Sequence, residues 1–75
     1  METTMIKRYP LESSVIQSAG YDAPTYTLAI EFTGGALYHY FDVPKTISAG
    51  LMSAESHGKF FNEHIRDVYR YERIW

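Results

Sequence analysis

The chain has 75 residues, a formal net charge of −2 and no cysteine. That length allows one domain, near the lower limit for folding without staples, and the missing cysteine removes disulfides and thiolate metal sites as supports. Stability must come from apolar burial, for which seven Tyr, four Phe and one Trp supply large side chains with little rotamer entropy to lose. An ordered monomer is expected in preference to a homo-oligomer.

Charge is uneven along the chain. Residues 1–44 carry two cations and five anions, a net −3, and residues 45–75 carry five cations and four anions, a net +1. A whole-domain electrostatic grip on nucleic acid is thereby excluded, since counterion release needs clustered cations. A local patch in the C-terminal third is still available. No apolar run reaches membrane-spanning length, and Met1-Glu2-Thr3-Thr4-Met5 lacks the basic-then-apolar layout of a signal peptide, so a cytoplasmic location is expected.

Residues 1–10 read as a flexible or loosely docked N-terminal arm, and residues 11–75 as a single domain. Ile6, Tyr9 and Leu11 are the side chains available for docking, and Pro10 holds Tyr9 extended. Residues 15–22 form the first expected strand, with Ile16 and Tyr21 as its large apolar members and Gly20 marking a bulge or a close backbone approach. Asp22-Ala23-Pro24-Thr25 makes a turn. In residues 26–33, Tyr26, Leu28, Ile30 and Phe32 alternate with Thr27, Ala29, Glu31 and Thr33, the period-two pattern of a half-buried strand. Gly34-Gly35 then turns the chain into a third strand over 36–43, completing an antiparallel meander.

Pro44 ends the sheet. Ile47, Leu51 and Met52 recur at helical spacing over 44–53, and Ser53 or Ser56 can cap a second helix over about 56–66 with Phe60, Phe61, His64 and Ile65 on one stripe. The tail from Val68 to Trp75 alternates again. The expected fold class is therefore α+β: a three-stranded antiparallel meander, two short helices, and a C-terminal strand or extended tail.

The loop at Gly34-Gly35 has two readings. As a two-residue turn, favoured by turn statistics, it pairs Phe32 with Leu37 and Ile30 with His39, placing Tyr38 and Tyr40 opposite the aliphatic face. As a three-residue loop with Gly35 left-handed, it pairs Ile30 with Tyr38 and Leu28 with Tyr40, turning both tyrosines to the core. A slip of one residue exchanges the faces of every side chain.

Strand, turn, a strand ending Glu31-Phe32, a glycine pair, Tyr38-His39-Tyr40-Phe41-Asp42-Val43-Pro44, a short helix, Ser56-His57-Gly58-Lys59-Phe60-Phe61-Asn62 and Tyr69-Arg70-Tyr71-Glu72-Arg73-Ile74 follow in order. Over roughly residues 11–74 this arrangement resembles the KTSC domain, found in small stand-alone bacterial or phage proteins and at the C-terminus of some lysyl-tRNA synthetases. The resemblance implies a non-catalytic binding module, with RNA (tRNA in particular) as an expected partner. A protein-interaction module using an exposed aromatic sheet face is the alternative.

Candidate nucleic-acid-binding residues are Tyr38, Tyr40, Lys59, Asn62, Arg66 and Arg70. Paired sheet tyrosines either stack bases or fill the core beneath a polar hydroxyl. Residues 59, 62 and 66 line one polar helical face if the second helix reaches Arg66, and Arg70 sits between Tyr69 and Tyr71. Glu63, Asp67 and Glu72 lie among these cations, so a solvated, ion-paired surface is the plainer interpretation. His57 and His64 are too far apart for an i, i+4 chelate, and His39 has no ligand pattern around it, so no metal or other cofactor is expected. Ser13-Ser14 lack a nucleophile elbow and no carboxylate pair is evident, so the chain is not expected to be an enzyme.

Overall fold

The computed structural model describes residues 5–75. Five strands form one antiparallel sheet in the order β1-β2-β3-β4-β5: β1 Tyr9–Pro10, β2 Ile16–Asp22, β3 Thr27–Phe32, β4 Leu37–Tyr40 and β5 Tyr71–Arg73. Helices α1 (Lys45–Ser53) and α2 (His57–His64) pack on one face. The α+β class holds, but a three-stranded meander with a terminal strand undercounts the sheet. The missing member is β1, two exposed residues at the edge, one of them a proline. Two residues carry no periodicity, and proline is compatible only with an edge position.

The β3–β4 connection takes the three-residue form. Gly35 adopts φ +97°, its N–H donates to the Phe32 carbonyl at 2.8 Å, and the Phe32 N–H donates to Ala36 at 2.9 Å. Leu28 then pairs with Tyr40 and Ile30 with Tyr38. The two-residue register favoured by turn statistics is overturned, because only Gly35, and not Gly34, takes the positive φ.

Both sheet faces are covered over β3. On the front, Leu28, Ile30, Ile16 and Ala19 meet Leu51, Phe61 and Ile65 from the helical half, with Tyr40 and Val43 in the same cluster. On the back, Ile6 packs with Ala29 and Leu37. Thr27, Leu28, Ala29 and Ile30 are consequently all buried, where the alternation of residues 26–33 implied a half-exposed strand. The cause is the chain between Met5 and Arg8. Gly20 has no side chain, and the Lys7 carbonyl oxygen lies only 1.8 Å from where a Cβ would be. The close approach read from Gly20 is this crossing.

Two elements are shorter than their patterns. Tyr26 is left-handed at φ 55° and caps the 3₁₀ turn Ala23–Thr25, so β3 begins one residue later. Asp42 is left-handed at φ 57°, ending β4 at Tyr40. Pro44 occupies the N-cap of α1, and the Ser56 hydroxyl caps α2 by accepting from the Lys59 N–H at 3.2 Å. α2 stops at His64, so Arg66 is not helical as the i, i+7 reading required; its N–H reaches the Phe61 carbonyl in a wide turn.

Candidate functional site

Front-face residues of β4 and β5 extend beyond the area the helices cover. Tyr40 pairs with Tyr71 and Tyr38 with Arg73, so Tyr38, Tyr40 and Tyr71 share a face. Their rings form one group: Tyr38 and Tyr40 stack at 6.2 Å and 23°, and Tyr71 lies 5.6 Å from Tyr38 and 5.8 Å from Tyr40. Phe32 meets Tyr38 edge-on at 5.6 Å, and Phe61 meets Tyr40 edge-on at 5.6 Å. Edge-to-face pairs add about 0.5–1.5 kcal/mol each beyond their buried area, which makes this a fixed wall.

A cleft of about 540 Å³ opens over these rings, lined at its polar end by Asn62, Arg66 and Asp67. Four candidate residues therefore come together: Tyr38, Tyr40, Asn62 and Arg66. The three-residue loop does turn the tyrosines toward the helical face, and Tyr40 is 5% exposed. Tyr38 is only half-buried and Tyr71 is 57% exposed, so part of the aromatic wall is open to a ligand in the register that seemed to exclude one.

The other two candidates lie elsewhere. Lys59 lines an adjoining hollow with Glu12, Ser13, Ser56 and Glu63, and Asn62 borders both cavities. Arg70 is on the back of the sheet, its guanidinium 5.0 Å from the Phe41 ring centre. Strand alternation sends it opposite to Tyr71. Tyr71, Phe32, Phe61 and Asp67, with Val15 and Ala36, complete the cleft and were not singled out as site residues. The alternation around Tyr69 and Tyr71 was the available signal for Tyr71, but its face depends on β5 joining β4.

Electrostatically the cleft is mixed. Arg66 and Asp67 approach at 4.0 Å with both side chains well exposed, a pair of little energetic weight that leaves the guanidinium free to turn to an anion. The Tyr40 hydroxyl is pushed up to about 12, first by burial and then by the Tyr38 and Tyr71 phenols, with Asp67 in the same direction and Arg66 opposing. The folded state thus holds this proton more tightly than the unfolded chain, whose tyrosines ionise near 10. Stability from this group is complete below about pH 10 and lost as pH rises toward about 12. Tyr21 is also raised, by burial and then by Tyr26, so ultraviolet titration should show late-ionising phenols, and Tyr40→Phe should remove the step near pH 12.

Among the described residues no group of three or more His, Cys, Asp or Glu side chains could hold a metal ion, and no helix is long and apolar enough to cross a membrane.

Residues 12–69 match the family model of the KTSC domain. The chain belongs to the KTSC domain family. A crystal structure of a KTSC domain protein from Yersinia pestis superposes with a TM-score of 0.89 at 36% identity, covering 95% of this chain and 100% of that one. An uncharacterized protein of Stutzerimonas stutzeri is 43% identical over 70 residues, 92% of this chain and 99% of that protein. A lysine–tRNA ligase of Nostoc punctiforme is 40% identical over 63 residues, 84% of this chain. There the KTSC-like segment is only 11% of the ligase's length.

Proposed function

We propose that this KTSC domain binds single-stranded RNA, holding one base against Tyr38 and Tyr71 and a neighbouring phosphate at Arg66. The observation that carries the reading is the cleft itself: an aromatic wall ends at a weakly engaged guanidinium and an amide, Asn62. Every base has a π-face, so stacking on tyrosine is sequence-tolerant and worth about 1–3 kcal/mol per base. Occurrence of the same domain in a lysine–tRNA ligase supports RNA as the ligand class. The role is one of binding, with no bond made or broken.

Few cations are in reach, Arg66 in the cleft and Lys59 in the adjoining hollow. Two phosphate contacts on a single strand give a slope of log affinity against log salt of about −1.4. Fluorescence anisotropy with short oligoribonucleotides and with tRNA should show that shallow slope. Tyr71→Ala should weaken binding about 5- to 150-fold, matching one lost stack, and Arg66→Ala should flatten the slope by about 0.7. Absence of binding at low salt, or affinity unchanged in both variants, would sink the reading.

A protein partner is the second reading. The exposed edge strand β5 and the net charge of −2 favour it. A stable partner that survives nuclease treatment and is lost on Tyr71→Ala would replace RNA with protein at the same cleft.

A further inference from the structure

The back of the sheet carries a feature that the cleft does not use. His39, the middle residue of Tyr38-His39-Tyr40, is 6% exposed, and its Nε2 has no hydrogen-bond partner. It is the one buried side-chain nitrogen or oxygen without a partner among the described residues. Leaving such a group unpaired is costly, and a charge there costs more. Its surroundings are set by the N-terminal arm. Ile6 packs on Ala29, which pairs with His39 across the sheet, and on Leu37, two residues along the same face. The Arg8 Nε donates to the Ser18 hydroxyl at 3.1 Å, and Ser18 donates to Glu31 at 2.9 Å.

We propose that residues 5–8 form a proton-operated cover, released from the back of the sheet when His39 takes up a proton beneath it.

The arm is held by a short set of contacts: Ile6, the Arg8–Ser18 hydrogen bond, Arg8 against Glu31 at 4.0 Å and over the Trp75 ring at 5.6 Å, and the two-residue β1 pairing of Tyr9 with Ala19 and Pro10 with Ser18. The charges around the ring set the direction. Arg8 on the arm repels a protonated His39, and Lys7 adds a second cation to the same segment. Glu72 on β5, opposite His39 in the sheet, favours protonation and stays in place when the arm leaves. Glu31 on β3 is engaged with Ser18 and Arg8, and Arg70 rests on Phe41. Opening the cover therefore removes the cations and admits water while retaining the favourable anion. Burial, followed by Glu72 in opposition and Arg8 in support, holds His39 below the ordinary imidazole range in the closed state. The open state takes the proton first, so opening is favoured as pH falls below about 6.5.

NMR on the full chain tests this in two ways. Amide exchange protection of residues 6–9, corrected for intrinsic rates, should fall about threefold or more from pH 7.5 to 5.0 while β3 keeps its protection. His39→Gln should abolish that pH dependence. Independently, the His39 ring should titrate at higher pH in Gly20→Ala, whose Cβ displaces the arm, than in wild type. Protection that ignores pH, an equal fall in His39→Gln, or identical His39 titrations in wild type and Gly20→Ala would overturn the proposal.

Discussion

Replacing Gly20 with alanine should strip residues 5–8 from the back of the sheet while leaving the front core folded. The new Cβ would meet the Lys7 carbonyl oxygen at 1.8 Å, the Lys7 carbonyl carbon at 2.8 Å and the Arg8 Cα at 3.1 Å. All three are backbone atoms, so no side chain can swing away to relieve the clash. The arm must lift, returning Ile6 to water and cutting the Arg8–Ser18 hydrogen bond. Loss of one buried isoleucine and one partly buried hydrogen bond gives an expected cost of about 2–4 kcal/mol. Limited proteolysis should then cut near residues 5–8 in the variant under conditions where wild type resists. Gly34→Ala, at a position with nothing within 4 Å, serves as the control and should change little. Equal resistance of Gly20→Ala and wild type would mean that the arm does not cross the sheet at that point.

Ile30→Ala should cost about 2–5 kcal/mol, a large share of the roughly 4–11 kcal/mol available to a domain of this size. Ile30 is fully buried at the centre of the sheet, paired with Ala19 on one side and Tyr38 on the other. Truncation opens a cavity beneath the helices and removes support from the Tyr38 ring. Thermal melting should drop by about 10–30 °C, whereas Ile30→Val, which keeps most of the volume, should cost only about 0.5–1.5 kcal/mol. A change under 1 kcal/mol on Ile30→Ala would show that this side chain is not enclosed.

Much of the fold was legible because its signals are local. The alternation of Leu28, Ile30 and Phe32 marked β3, the period change after Pro44 marked α1, and Ser56 marked the start of α2. What escaped depends on contacts between distant segments. β1 is too short to carry a pattern, and burial of Ala29 on the back face comes from Ile6, more than twenty residues away. Left-handed Tyr26 has no local signature, since its side chain disfavours that backbone region; Asp42 is of a type that tolerates it but carries no other mark of a strand end. The candidate cleft was half legible. Tyr38, Tyr40, Asn62 and Arg66 meet in it, but Tyr71 enters only through the pairing of β5 with β4, and the same pairing sends Arg70 to the opposite face.

Those tyrosines also show how register and function separate here. The three-residue loop commits Tyr40 to the core, yet β4 and β5 run past the helices, so Tyr38 and Tyr71 keep open edges beside Arg66. The most direct test is NMR chemical-shift mapping of the full chain titrated with a short single-stranded oligoribonucleotide at low salt. The account predicts saturable shifts concentrated on Tyr38, Tyr71, Asn62 and Arg66, with Arg70 and the back of the sheet unaffected. Shifts confined to the back face, or none at saturating oligonucleotide, would contradict it.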